Sequence, residues 1–457
     1  MSRAFESLRR FYLGAYYPIF SALLILLGHA TGAEVPFAAI LLLSMVPAFF
    51  LCNDIRFAVL PLLCLIFTVS AKDYKPHDTG FDERYLNAPV LITAGIVLAI
   101  VFASLVIFAV RNAAQRNPFP KNGSLFGLLA FSLALLLNGL FSSNYILKNL
   151  LFGAIIALTL LGVYWLFASY LRFDSHSTDY LMYCLVIAAL LIAAELILAY
   201  FTTVRFENGE IVKGSVVLGW GVWTTIGGML AFLMPACFYF AASHRHGWIG
   251  FVLGLFVYFC ILLSQSRGAL LFGSLVLALC LLYLCIRGKN RKQNRIFTAI
   301  LAFGAIAFCL LFSEKIFSLV GNFLSYGFGD NGRFDMWKIG FGHFCDHPIF
   351  GSGFYDSYTT SEWERTFDSY LYHNTAVQLF GSMGLVGVAL YAYHRFCTVR
   401  LVLRHPTVGK TFFAICIFSL LICSLLDVLL FKIYPSLFYS MMLVFMDHDR
   451  EACSTLP

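Results

Sequence analysis

The chain has 457 residues, of which 60% are hydrophobic and 12% charged, with a formal net charge of +7 and a mean hydropathy of +0.82. Soluble domains carry about 25% charged residues, so this composition excludes a soluble globular protein. The apolar residues recur in runs of about 20, the length of a helix that crosses a bilayer. Lys and Arg flank these runs, which is typical of cytoplasmic loops rather than of a nucleic-acid-binding surface. We therefore expect an integral membrane protein in a lipid bilayer, with no nucleic-acid partner.

The apolar runs predict an all-α fold, a polytopic transmembrane helical bundle of about 12–14 spans in a single membrane domain covering residues 1–457. The predicted spans are residues 12–30, 35–52, 56–71, 90–110, 124–142, 149–171, 180–203, 219–242, 248–264, 268–286, 296–312, 373–394, 411–430 and 433–446. With a cytoplasmic N-terminus, alternation places the basic segments 287–295 and 395–410 in the cytoplasm. Both termini are then predicted to be cytoplasmic.

Within the predicted spans, Asn138, Glu195 and Asp427 are polar residues at membrane depth. Such residues usually have a buried partner or belong to a transport pathway. Lys432 lies close enough in sequence to pair with Asp427. Glu195 has no obvious partner, so it favours the alternative function of a transporter or flippase for lipid-linked glycans.

Arg267 lies in the short segment 264–268, between two predicted spans with almost no loop, at the outer end of the membrane. A guanidinium stays charged there and presents a planar set of donors that suits phosphate oxygens. An interfacial arginine that reaches lipid headgroups would have the same sequence signature, so both interpretations stay open.

The segment 313–372 is the one long predicted connection, and it should lie on the outer face. Loops of this length are usually functional, and the aromatic spacing predicts short amphipathic helices on the membrane surface. Arg333 in this loop could supply a second phosphate-binding guanidinium. The loop carries eight carboxylates against four Lys and Arg, so a bridging metal stays open. In an earlier outer loop, adjacent Asp82 and Glu83 would point apart in regular structure, and we favour a solvated loop there.

Two histidines of the long connection lie beside distinctive neighbours. His347 precedes a proline and two glycines, which indicates an extended residue in a tight backbone. His373 precedes Asn374 at the outer mouth of the next span, where an imidazole could accept the proton of an acceptor hydroxyl near neutral pH. A helix-start residue bonded to loop backbone is the alternative interpretation of His373.

The order and topology of these motifs resemble the bacterial O-antigen ligase and Wzy-type polymerase superfamily. The resemblance covers residues 264–390 and rests on Ser266-Arg267-Gly268, Arg333 to Trp337, His347 to Gly353, His373-Asn374, Gln378, and Gly384 to Gly387. Many relatives have a Glu where this chain has Ser382, so any role of that carboxylate is absent or moved here. Residues 1–260 show no motif of the family.

The resemblance implies a glycosyltransferase of the bacterial cytoplasmic (inner) membrane. It would transfer a glycan from undecaprenyl diphosphate to an acceptor hydroxyl on the outer face, with inversion and with no metal or other cofactor. Arg267 and Arg333 would bind the donor diphosphate, and His373 would orient or deprotonate the acceptor. The supporting residues would be Trp337, Asn374 and Gln378.

The same donor site would serve a glycan, a lipid or a protein acceptor, and no motif encodes the oligomeric state. A transporter should place its polar residues at the bilayer midplane between repeats. Here the distinctive polar residues gather on one face, which disfavours a transporter. A membrane scaffold or sensor is the third hypothesis, and it predicts no turnover.

Overall fold

The computed structural model describes residues 3–70, 85, 87–117, 123–143, 147–207, 209–311, 333–354, 372–404 and 406–449. These residues are overwhelmingly helical, so the predicted all-α polytopic fold is confirmed. The α-helices are α1 (Arg3–Leu13), α2 (Tyr16–Thr31), α3 (Glu34–Ser44), α4 (Val46–Leu51), α5 (Val59–Cys64), α6 (Ala88–Arg111), α7 (Gly123–Phe141), α8 (Leu147–Tyr170), α9 (Ser177–Thr202), α10 (Trp223–Ser243), α11 (Gly247–Leu263), α12 (Arg267–Ile286), α13 (Arg291–Leu311), α14 (Arg333–Asp346), α15 (Thr375–Arg404), α16 (Val408–Cys423) and α17 (Ile433–His448).

Short segments of other structure complete the described part of the chain. The 3-10 turns are Ile55–Ala58, Leu65–Thr68, Ala113–Gln115, Lys213–Ser215 and Leu429–Phe431. Two small antiparallel hairpins lie between α9 and α10, and they pair β1 (Phe206–Glu207) with β2 (Glu210–Ile211) and β3 (Val217–Leu218) with β4 (Gly221–Val222).

Eight helical segments of the described chain are long and apolar enough to cross a membrane, namely Glu34–Leu51, Ala88–Arg111, Ser124–Phe141, Asn149–Tyr170, Ser177–Thr202, Trp223–Ser243, Arg267–Ile286 and Thr375–Arg404. The pair α1 and α2, bent by 64°, would make a ninth. Shorter apolar helical segments are Ile55–Thr68, Gly247–Leu263 and Val408–Cys423. A helix therefore occupies each of the fourteen predicted spans, but several are shorter than a full crossing.

Contacts at the helix termini divide the bundle into two ends. At one end, the N–H of Lys289 donates to the carbonyl of Ala242 at 2.7 Å and joins the turn between α12 and α13 to the end of α10. At the other end, the N–H of Thr375 donates to the carbonyl of Ser424 at 2.9 Å and joins the start of α15 to the end of α16. We call the first the basic end, because the Lys/Arg-rich turn after α12 lies there. We call the second the site end, because the candidate site described below lies there.

Helix α10 is the centre of the bundle. It packs against α9, α11, α12 and α16, and 94% of its most apolar 18-residue stretch is buried. Its small residues permit this packing, and Gly227 shows how closely the neighbours approach. A Cβ atom on Gly227 would lie 2.5 Å from Ser264 Oγ and 2.7 Å from Ala269 Cβ. The N-terminal part of α10 therefore lies directly against the turn that leads into α12.

Helix α15 is interrupted at Gly384, which has φ 60° and ψ −164°. An interruption leaves backbone groups without helical partners, and buried groups of this kind must be paired. Segment 348–353 pairs them, through hydrogen bonds of 2.8–3.1 Å that join Leu385 to Pro348, Val386 to Ile349, Ser352 to Gly381 and Gly353 to Ser382. The glycine-rich segment after His347 therefore forms backbone hydrogen bonds with α15 where that helix is interrupted.

Candidate active site

A cavity of about 310 Å³ opens at the site end between the first turns of three helices. Helix α10 begins at Trp223, α12 at Arg267 and α14 at Arg333, and all three residues line the cavity. The N-terminus of a helix carries partial positive charge and backbone N–H groups that lack intrahelical acceptors. Three such termini around one cavity favour a bound anion.

Arg267 is positioned by a tight turn between α11 and α12. Gln265 adopts a φ of 57° in this turn, and the Ser266 hydroxyl accepts the N–H of Ala269 at 3.3 Å, which caps α12. The side chain of Arg267 is exposed and lines the cavity. The arginine that was predicted at the outer end of a span therefore lines the cavity.

Arg333 is the first residue of α14 and lines the same cavity as Arg267. Helix α14 packs against α15, with Gly340 buried at the contact. Trp337, one turn after Arg333, is half-buried and packs edge-on against Phe334 at 5.2 Å between ring centroids. Trp337 is not among the described residues that line the cavity.

Lys213 is a third cation of the cavity, and the sequence analysis missed it. It lies in the 3-10 turn between the two hairpins, and its Nζ is 5.6 Å from the centroid of the Trp223 ring. Burial, followed by the positive charges of Arg267 and Arg333, lowers the pKa of the Lys213 amine below its ordinary value. The only available signal was a position in the outer connection just before the central helix, which Lys213 shares with Arg205.

Asp427 is the one carboxylate among the described residues that line the cavity. Its Oδ2 accepts hydrogen bonds from Lys432 Nζ at 3.1 Å and from Thr225 Oγ1 at 3.2 Å. His373 Nδ1 lies 3.7 Å from Asp427 Oδ1. Burial raises the pKa of the Asp427 carboxyl, but Lys432 and His373 outweigh burial and hold the pKa well below its ordinary value.

Asp427 was expected inside a span of residues 411–430, and that location is wrong. Helix α16 ends at Cys423, and Asp427 lies in the connection that follows at the site end. The helix ends earlier because the carbonyl of Ser424 accepts the N–H of Thr375 from α15 and tighter three-residue turns follow it. The carboxylate of Asp427 then meets Lys432 and Thr225. The expected internal pair of Asp427 with Lys432 is present.

His373 has a φ of 49°, an uncommon backbone conformation for a residue other than glycine. Its side chain is half-exposed and directed toward Asp427. The bond between Thr375 and Ser424 holds this strained entry to α15 against the segment that carries Asp427. Strained residues of this kind cluster at functional sites.

Asn374 and Gln378 hold the start of α15 and do not line the cavity. Asn374 Oδ1 accepts two backbone N–H groups of the first turn, at 2.8 and 3.2 Å. Gln378 Oε1 accepts the N–H of Tyr372 at 3.0 Å, and its Nε2 donates to Ser382 Oγ at 2.6 Å. Ser382, which stands where relatives carry Glu, therefore contacts Gln378 and the segment 348–353 rather than the cavity.

Glu195 has a partner that the sequence did not reveal. The indole Nε1 of Trp220 donates to Glu195 Oε2 at 2.8 Å, and His29 Nδ1 lies 3.9 Å from the same oxygen. Asn138 likewise donates to the carbonyl of Ser382 at the interruption of α15. Glu195 thus joins α9 to the β3–β4 hairpin, and Asn138 joins α7 to α15, so each has a hydrogen-bond partner inside the bundle.

Parts of the predicted outer face lie outside the described residues, including Asp82, Glu83 and residues 313–332 and 355–371 of the long connection. In the described part of that connection, α14 confirms one short helix. Within the described residues, no three His, Cys, Asp or Glu side chains group as metal ligands would.

Comparison with known families matches a region that contains part of this site. Residues 252–392 match the family model described as O-antigen ligase. This range includes Arg267, Arg333 and His373, whereas Lys213 and Asp427 lie outside it. No curated protein sequence matches the chain significantly. Residues 252–392, which are less than half of the chain, are therefore similar to the O-antigen ligase family, and the expected resemblance to the O-antigen ligase and Wzy-type polymerase superfamily is confirmed for this region.

Proposed function

We propose that the protein transfers a glycan from undecaprenyl diphosphate to an acceptor hydroxyl at the outer face of the bacterial cytoplasmic membrane. The observation that carries this proposal is that Arg267 and Arg333 each begin a helix at one cavity, beside an Asp427 that contacts His373. Paired guanidinium groups and converging helix N-termini suit a diphosphate. An imidazole near a carboxylate suits an acceptor hydroxyl.

In this mechanism the acceptor oxygen attacks the anomeric carbon while the bond from that carbon to the diphosphate oxygen breaks. The electron pair of the broken bond remains on the diphosphate, where Arg267 and Arg333 stabilise the growing negative charge. His373 accepts the hydroxyl proton, and Asp427 orients the imidazole and stabilises its protonated form. A single direct displacement inverts the configuration at the sugar.

The reaction as proposed needs no metal or other cofactor. Two guanidinium groups and three helix N-termini supply positive charge around the cavity, which is what a divalent ion would otherwise supply to a diphosphate. The single carboxylate of the described lining, Asp427, is already paired with Lys432. Transfer that survives chelation with EDTA supports this part of the proposal, whereas loss restored by Mg²⁺ contradicts it.

The cavity is proposed to face the outside of the cytoplasmic membrane, with both termini inside. Lys and Arg accumulate in cytoplasmic connections, and the turn 287–295 and the segment 395–404 place many of them at the basic end. The site end would then meet the lipid-linked glycan after it has reached the outer leaflet. The donor's lipid chain would remain in the bilayer beside the bundle.

Alanine substitution tests the proposal. Arg267→Ala, Arg333→Ala and His373→Ala should each lower transfer from the purified lipid-linked donor in proteoliposomes by about 100-fold or more, because each removes a transition-state contact. The product glycan and the released undecaprenyl diphosphate are both measured. Lys338→Ala is the matched control, because Lys338 is an exposed cation on α14 outside the cavity lining.

Transfer at the wild-type rate by all three variants contradicts the proposal. Parallel reactions with a lipid A core acceptor and with a second carrier-linked glycan separate a ligase from a polymerase. The anomeric configuration of the product, measured by NMR against that of the donor, tests inversion. Retained configuration contradicts the direct displacement.

A further inference from the structure

Lys213 is held inside the cavity although the chain around it is an exposed connection between two helices. Its turn lies between the hairpins β1–β2 and β3–β4, and its amine faces the indole of Trp223 at the start of the central helix. The second hairpin is fixed by Gly219, which lies directly against the backbone of Ser70. The amine is therefore positioned by the fold from two sides.

The charged groups around Lys213 come from each element at the cavity. Arg267 comes from α12, Arg333 from α14, and Asp427 from the connection between α16 and α17, where Lys432 neutralises the carboxylate. Among the described residues of the lining, three cations thus face the cavity together with one carboxylate, which is paired with Lys432. Cationic side chains from three elements at one cavity would together attract an anion of high charge.

In the proposed reaction, the diphosphate reaches its highest negative charge only at the last step, when the glycan leaves. A diphosphate esterified at both ends carries two negative charges, and Arg267 and Arg333 match them. When the glycosidic oxygen departs with its electron pair, the lipid diphosphate gains a terminal phosphate whose further ionisation has a pKa of about 6. The leaving group therefore acquires a third charge near neutral pH.

We propose that Lys213 is a third phosphate-binding residue, which stabilises the additional charge that the diphosphate acquires as the glycan leaves. This assignment rests on the proposed function. Because the added interaction is stronger after bond cleavage than before it, removal of Lys213 should lower kcat more than it raises KM for the donor. The interaction also gives the site a preference for diphosphate over a monophosphate ligand.

Binding provides the first test, with inorganic pyrophosphate and inorganic phosphate as probes and the purified full chain in detergent under low salt. Calorimetry should show pyrophosphate binding to the wild-type protein and weakening by about tenfold in Lys213→Met, as expected for the loss of one charge-assisted contact. Lys213→Arg should retain most of the affinity. Lys338→Met, which removes an exposed cation of α14 that is not among the described lining residues, should bind as the wild type does.

The pH dependence of transfer provides a readout that a purely structural role would not change. Wild-type kcat/KM should fall as pH rises through the lowered pKa of Lys213, because the amine loses its charge. In Lys213→Arg this alkaline fall should move to higher pH, since a guanidinium stays protonated. If Lys213 only braced the loop against Trp223, both variants would change thermal stability and neither would move the alkaline fall.

Two results separate failure of this assignment from failure of the proposed function. Pyrophosphate binding lost in Arg267→Ala but unchanged in Lys213→Met, with the alkaline fall unmoved in Lys213→Arg, overturns the role of Lys213 alone. A wild-type protein that neither binds pyrophosphate nor transfers glycan overturns the proposed function and this assignment together.

Discussion

The contacts of Asp427 show how one side chain links the cavity to the histidine beside it. One carboxylate oxygen accepts hydrogen bonds from Lys432 and Thr225. The other oxygen lies near His373. Its pKa lies below the ordinary value, so the stabilisation from these contacts is complete above the ordinary carboxyl pKa and is lost only at lower pH. Around neutral pH the carboxylate is therefore constantly charged, and the pH dependence of transfer must come from other groups.

Asp427→Asn should lower transfer by about tenfold or more, because the amide keeps the size of the side chain but removes the charge that orients His373. Lys432 would also lose its counter-charge. The measurement is the steady-state rate with the lipid-linked donor, together with thermal unfolding in detergent. Glu207→Gln, an exposed carboxylate of β1, is the control and should transfer at the wild-type rate. Equal rates for the two variants would argue against the positioning role of Asp427.

At the scale of secondary structure, the interruption of α15 joins the long connection to the bundle. Gly384 breaks the helix, and segment 348–353 fills the gap with backbone hydrogen bonds. Asn138 reaches the same point from α7. Because α14 packs against the first half of α15, this joint also fixes the helix that carries Arg333.

Gly384→Ala should destabilise the protein by about 1–3 kcal/mol, because a Cβ is strained at this positive φ. The added atom would also lie 2.5 Å from the carbonyl oxygen of Ile349. Thermal unfolding followed by intrinsic fluorescence measures the change. Gly95→Ala is a matched control in α6, since a Cβ there meets nothing within 4 Å. An equal melting temperature for both variants would contradict the structural role of the interruption.

At the scale of the whole molecule, the two ends of the bundle differ in their charged groups. The Lys/Arg-rich turn 287–295 lies at the basic end, whereas the cavity and α14 lie at the site end. Two cysteines report on the two ends. Cys345 is exposed near the end of α14, and Cys285 lies half-buried near the end of α12.

A membrane-impermeant maleimide should label Cys345 in right-side-out vesicles, because the site end is proposed to face outward. Mass spectrometry of the digested protein identifies the modified residue, and Cys345→Ser should abolish that signal. Cys285, which is half-buried, should be labelled in inverted vesicles and not in right-side-out vesicles. Labelling of Cys345 confined to inverted vesicles would reverse the proposed orientation.

Sequence patterns alone determined the architecture, because the length of an apolar run must match the bilayer and needs no knowledge of its neighbours. They also singled out Arg267 and Arg333, since a charge beside an apolar run is conspicuous. The roles expected for Trp337, Asn374 and Gln378 at the site stay predictions, and the structure places these side chains in contacts that support α14 and α15.

Only the tertiary structure decided which distant residues meet. Lys213, Arg267, Arg333 and Asp427 line one cavity although they are spread over four separate segments of the chain. Their meeting depends on which helix termini lie at the same end and on how closely α10 approaches α12 at Gly227. The apolar pattern of a helix shows that the helix lies in lipid, but it does not show which other helices it contacts. The sequence therefore determined the spans, and the packing of the helices decided the site.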